Sequence, residues 1–137
     1  MDSLSPTERT QRMRLVRGRD TRPEWLTRRL AHGMGFRYRL HRRDLPGCPD
    51  LVFPSRHKVI FVHGCFWHRH DGCRLARLPK SRLAFWRPKL EGNKARDARH
   101  LLDLAQLGWR SLVIWECELS NLDQVREAMR IFLEGDE

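Results

Sequence analysis

No stretch of this 137-residue chain approaches the roughly 20 consecutive apolar residues that span a bilayer. Its first dozen residues, MDSLSPTERTQR, lack the apolar region of a secretory signal peptide, so a cytoplasmic protein is expected. There are no internal repeats, low-complexity tracts or linkers, which leaves one compact domain over residues 1–137. Acidic residues are few beside basic ones. Lysine and arginine number 27 against 17 aspartates and glutamates, a net charge of +10. Arginine predominates, and its planar fork suits phosphate and guanine. A small domain this basic points to a polyanion, with nucleic acid the first candidate. No plain Cys-x₂-Cys finger occurs among the four cysteines, Cys48, Cys65, Cys73 and Cys117. In a cytosolic chain these are thiols or metal ligands rather than disulfides.

Punctuation and periodicity predict the elements. Ser5, Pro6 and Glu8 make a capping box for a first helix over 5–17, ended by Gly18. A second capping box, Thr21 to Glu24, opens a helix carrying Trp25, Leu26 and Leu30 and ending near Gly33 or Gly35. Residues 36–40 alternate apolar and polar as a half-buried strand. Residues 45–49 form a turn, and 50–53 and 58–62 a hairpin through the loop 54–57. Residues 63–80 read as irregular. Residues 81–107 read as a helix interrupted near Pro88 and Gly92, 109–115 as a buried strand, and 122–133 as an amphipathic helix. This order implies an α/β fold, a mixed sheet with helices on its faces.

Cys65, His70 and Cys73 fall within nine residues, and Cys117 follows the last strand. Three thiolates and an imidazole suit a closed, tetrahedral structural Zn²⁺ site. His68 is near enough to stand in for His70, and a reading with Cys117 as a core cysteine also fits the residue types. A closed zinc cannot take substrate, so a catalytic metal belongs elsewhere. Hairpin register sets Asp50 opposite Phe61 and beside Val62 and His63, at one sheet edge. A carboxylate with a backbone carbonyl, water and phosphate suffices for Mg²⁺, and His63 or His68 can move protons near neutral pH. Glu24 reads first as a capping residue, though it could reach this edge. The pair Phe66-Trp67, in a basic loop, either covers the zinc or acts as a wedge between base pairs.

The layout resembles restriction-endonuclease-like nucleases, with His63 where their usual Glu-x-Lys would end. More specific blocks follow in order: Met13-Arg14, Arg19-Asp-Thr, Leu45-Pro-Gly-Cys-Pro-Asp50, Val59 to His68, Phe85-Trp86, Lys89, Asn93, Arg96-Asp97, Leu107-Gly-Trp-Arg and Trp115-Glu-Cys117. Over about residues 10–133 the chain is similar to the Vsr very-short-patch-repair endonucleases. The resemblance implies a strand-specific, Mg²⁺-dependent nick beside the thymine of a T·G mismatch left by deamination of 5-methylcytosine. It implies Asp50 and the Val62 carbonyl as Mg²⁺ ligands, His68 as the group activating water, and His63 with Glu24 in support. Cys65, His70, Cys73 and Cys117 would hold Zn²⁺. Phe66 and Trp67 would intercalate, Met13 on the helix 5–17 would approach from the other groove, and Lys89 and Asn93 would contact DNA near the mismatch. Val62 stands where a threonine is often found, a change a carbonyl ligand survives. The same resemblance implies a monomeric, nucleoid-associated bacterial enzyme with a MutL-type mismatch-repair partner. A restriction-type nuclease of the same fold and a non-catalytic zinc-dependent DNA-binding module are the competing readings.

Overall fold

A computed structural model describes residues 21–135; the expected helix 5–17 and Met13 lie outside them. The order is α1 (Arg22–Gly33), β1 (Arg39–Leu40), β2 (Leu51–Phe53), β3 (Lys58–His63), α2 (Leu83–Gln106), β4 (Arg110–Trp115) and α3 (Leu122–Glu134). The sheet runs β1-β2-β3-β4. The first three strands are antiparallel, and β4 joins β3 in parallel. This is the mixed sheet that the element order predicts. The parallel step needs a long crossover, and residues 64–109, containing α2, supply it.

Side chains alternate across the strands, and each face meets helices. Leu51, Phe53, Ile60 and Ile114 pack with Ala31 of α1 and with Val125, Met129 and Leu133 of α3. Val52, Val59 and Phe61 turn the other way, onto Leu104 of α2. With both faces covered, β2 is buried throughout, and β3 in all but Val62. Buried Lys58 ends α3: its Nζ donates to the carbonyls of Phe132 at 2.7 Å and Gly135 at 2.6 Å. These orphan C-terminal carbonyls need a donor, and a cation suits that end of the helix dipole.

Four local expectations change. The strand expected over 36–40 keeps only Arg39–Leu40 as ladder, since Phe36 turns into the core while Leu40 is exposed. β4 is an edge strand and mostly half-buried, with Ile114 alone fully buried. α2 runs through Pro88 and Gly92 without a break and starts at Leu83; Pro88 lies early in the helix, and a single glycine costs only about 1 kcal/mol. Thr21 caps α1 with no side-chain hydrogen bond, which frees Glu24 for the site below. Among the described residues no helix is long and apolar enough to cross a membrane.

Candidate active site and metal centre

The hairpin register is Phe53 with Lys58, Val52 with Val59 and Leu51 with Ile60. One step further out, the Asp50 carboxylate accepts the Val62 N–H at 2.7 Å, so the predicted edge exists. Gly47, at φ +78°, makes the approach possible. A Cβ there would meet the His100 ring at 3.0 Å, so the Leu-Pro-Gly turn lies directly on α2. Burial pushes the Asp50 carboxyl up to about 7, and the Glu24 charge adds to this against the Val62 hydrogen bond.

Two residues missed in the sequence complete this edge. His41 follows β1 in the left-handed region, φ 49°, and its N–H donates to the Asp50 carbonyl at 3.4 Å. Its Nε2 lies 3.5 Å from Glu24 Oε2 and its Nδ1 3.8 Å from Asp50 Oδ1. Glu24, Thr27 and Ala31 form the buried face of α1, so Glu24 is aimed inward rather than spent on the cap. Arg28, one turn on, donates to it at 3.0 Å.

Asp97 is the second. It lies seven residues from each of Leu90 and Leu104, the buried residues of α2, so it shares their face. A lone acid at a core-stripe position is the sequence signal for it. Its Oδ2 meets His68 Nδ1 at 2.5 Å, and the His68 ring stacks on His63 at 3.9 Å and 4°. Burial drives the His63 pKa down to about 4, with His68 contributing. His63 is therefore neutral at physiological pH, and its buried Nδ1 has no hydrogen-bond partner among the described residues.

The four expected zinc ligands converge, with one donor atom from each of Cys65, His70, Cys73 and Cys117 within 4.8 Å of the others. His70 Nδ1 is 3.5 Å from Cys65 Sγ and 3.4 Å from Cys117 Sγ. Donors at about 2.1 and 2.3 Å in a tetrahedron lie about 3.6 Å apart, so the spacing fits zinc. The histidine of this group is His70, since His68 belongs to the Asp97 pair. Burial pushes the Cys65 thiol up to about 12, so a thiolate there requires a cation. The loop is pinned further: Cys65 N–H donates to Glu116 at 3.0 Å, and the His70 ring stacks on Trp115 at 4.1 Å.

Between Cys65 and His68 in the chain, Phe66 and Trp67 belong to an aromatic cluster larger than the expected pair. Phe66 and Trp67 meet edge to face at 5.1 Å, and Trp86 joins them at 5.6 and 5.9 Å. Phe85, 47% exposed, extends the cluster. Lys89 lies 5.6 Å from the Phe85 ring centre and 6.0 Å from that of Trp86. Asn93 donates to the Trp67 carbonyl at 3.1 Å. In the free protein it therefore holds the loop. A cationic rim around ring faces can stack on bases and neutralise phosphates.

The family model described as DNA mismatch endonuclease Vsr matches residues 1–74. The type II nicking enzyme V.XorIIP of Xanthomonas oryzae pv. oryzae is 56% identical over 133 residues, covering 97% of both chains. The DNA mismatch endonuclease Vsr of Escherichia coli is 40% identical over 119 residues, 87% of this chain and 76% of that one. The type II nicking enzyme V.NmeAIP of Neisseria meningitidis is 36% identical over 128 residues, 93% of this chain and 91% of that one. An aspartate at the sheet edge, a histidine–aspartate pair beside it and an aromatic, cationic face thus sit on a chain that belongs to the Vsr family of DNA mismatch endonucleases.

Proposed function

We propose that this endonuclease nicks one DNA strand beside the thymine of a T·G mismatch, with Mg²⁺ at Asp50 and Zn²⁺ as a structural ion. The Asp50–Val62 contact carries the reading. It sets a carboxylate against the end of β3, where the Val62 carbonyl is the second protein oxygen offered to Mg²⁺, leaving positions for water and phosphate. When bound, Mg²⁺ supplies a Lewis acid at the scissile phosphodiester.

The chain's own groups do the rest. Asp97 holds the His68 ring through Nδ1, which leaves Nε2 as the nitrogen to take the proton of the attacking water. The Asp97 carboxylate then stabilises the imidazolium, as in other histidine–carboxylate pairs. Neutral His63, stacked on His68, holds its ring plane. Glu24 from α1 and His41 from the end of β1 brace Asp50. The zinc ligands lie on both sides of Phe66-Trp67, so the closed metal centre keeps the wedge and His68 in register. With Trp86, that wedge would enter the stack where a mismatch makes unstacking cheapest. We assign Met13 to the opposite groove and Lys89 and Asn93 to the DNA beside the mismatch. We further assign a restriction-endonuclease-like fold and one nuclease domain over 1–137. It would act as a monomer in the bacterial cytoplasm at the nucleoid, with a MutL-type partner.

The deciding experiment compares matched and T·G duplexes of one sequence in Mg²⁺. The T·G duplex should be nicked at least tenfold faster. Equal cleavage of both duplexes would replace this reading with a restriction-type nuclease, and binding without cleavage would leave a DNA-binding module.

A further inference from the structure

The turn that delivers Asp50 is strained. Cys48 N–H donates to the Leu45 carbonyl at 3.1 Å across Pro46 and Gly47, and Gly47 stands at φ +78°, the pattern of a type II turn. Cys48 follows in the left-handed region as well, at φ 48°. A non-glycine residue there is strained and persists where its surroundings hold it. Cys48 and the buried Pro49 then lead directly to Asp50, so a shift of the turn passes to the carboxylate.

Two side chains of α2 hold that turn. Leu45, at its start, packs with Leu104 in the core on the α2 side of the sheet. Three atoms of His100, its Cβ, Cγ and Nδ1, each lie 3.0 Å from the place a Gly47 Cβ would take. The base of the imidazole therefore occupies the space that a side chain on the turn would need. Asp97, His100 and Leu104 stand at i, i+3 and i+7 of α2, on one face of the helix. Asp97 is the partner of His68. One helix face thus carries both the group that orients the proton acceptor and the group that props the Asp50 turn. Gly47, Asp50, His68, Asp97 and His100 all line one cavity of about 620 Å³.

Resting on the reading that Asp50 holds Mg²⁺, we propose that His100 is a positioning residue. It props the turn at Gly47 and so sets the Asp50 carboxylate against the His68–Asp97 pair, with α2 as the common support.

The test perturbs the contact from both sides. Zinc-loaded enzyme nicks a saturating T·G duplex in single turnover across a Mg²⁺ series, with gel-shift binding and thermal melting of the same samples. His100→Ala keeps only the Cβ of the three contacting atoms. It should slow nicking about tenfold and raise the half-saturating Mg²⁺ about threefold, since a misplacement of about 1 Å can cost about 100-fold. His100→Asn retains counterparts of all three atoms and should stay within about twofold of wild type in both readings. Gly47→Ala pushes the turn off α2 from the other side and should show the same two changes as His100→Ala. Duplex binding should be retained in every variant. A His100→Ala enzyme that loses melting temperature but keeps the wild-type rate and Mg²⁺ dependence would overturn the proposal, because the residue would then serve the fold alone. So would His100→Asn as slow as His100→Ala. If His100→Ala does not fold, Gly47→Ala carries the test, and an unchanged Mg²⁺ dependence there overturns the proposal. If Asp50→Asn nicks with the wild-type rate and Mg²⁺ dependence, the Asp50 reading itself falls and this inference with it.

Discussion

Replacing Asp97 with asparagine isolates the work of one charge. The Asp97 carboxylate lies against His68 Nδ1 at 2.5 Å. Asparagine keeps the size and one acceptor oxygen but loses the charge that favours the imidazolium formed when His68 takes a proton. Opposite unit charges about 4 Å apart attract by about 4 kcal/mol at the effective dielectric of a protein surface. The two side chains are 30% and 21% exposed, and screening reduces the value to about 1–2 kcal/mol. At about 1.4 kcal/mol per decade, Asp97→Asn should slow the chemical step about 5- to 30-fold. Asp97→Ala, which also frees the ring, should cost about 100-fold or more. The assay is single-turnover nicking of a saturating mismatched duplex, with binding measured by gel shift and zinc by elemental analysis. Binding and zinc content should not change. The cycle with His68→Ala supplies a further control, because Asp97→Asn should cost nothing once His68 is gone. Nicking within twofold of wild type, or an additive double variant, would refute a role for Asp97 through His68.

Three further outcomes follow from the same geometry. Structural zinc sites hold their folds by about 10–16 kcal/mol in small peptides, so chelation or Cys117→Ser should unfold the loop 63–80 and abolish nicking; an unchanged near-ultraviolet circular dichroism spectrum in zinc-free protein would count against it. Asp50, raised to about 7, holds its proton in the folded state from about pH 4 to 7, which by itself lowers metal-free stability as pH rises through that window. His63, lowered to about 4, acts with opposite sign between about pH 4 and 6.5, so stability should be nearly flat there. The shift should appear instead in Mg²⁺ affinity, weakening about tenfold per unit below about pH 7 in calorimetric titrations, and an affinity independent of pH from 6 to 7 would contradict it. Lys58→Met strands the α3 carbonyls and should cost about 2 kcal/mol, lowering Tm by about 6 °C; a change within 1 °C would show that Lys58 Nζ adds nothing.

Much of the fold is legible from the chain because its signals are local. The hairpin loop sets the β2–β3 register, and that register alone predicts Asp50 beside Val62. The residue types of Cys65, His70, Cys73 and Cys117 suit a shared metal but leave Cys117 open as a core cysteine and His68 open as a ligand; the convergence of the four, and the contacts of His68 with Asp97 and of His70 with two cysteines, decide both points. His41 is hidden because β1 pairs over only two residues, so the step that sets it beside Asp50 has no pattern to announce it. Asp97 is hidden because it lies 29 residues beyond His68, although its place on the Leu90–Leu104 stripe marks it once α2 is read as unbroken. Glu24 is masked by a capping motif that fits the sequence and goes unused in the structure. Pro88 and Gly92 suggest a break that the packing of α2 on the sheet overrides.

The most direct measurement is strand-resolved nicking of a T·G duplex by wild type and Asp50→Asn, with Mg²⁺ and with chelator, alongside gel-shift binding of the same duplex. The account predicts a single nick, on the thymine strand, by wild type in Mg²⁺ alone, and for Asp50→Asn a loss of at least 1000-fold with binding retained, about 4 kcal/mol of transition-state stabilisation. Nicking by Asp50→Asn near the wild-type rate, or by wild type equally well in chelator, would contradict it.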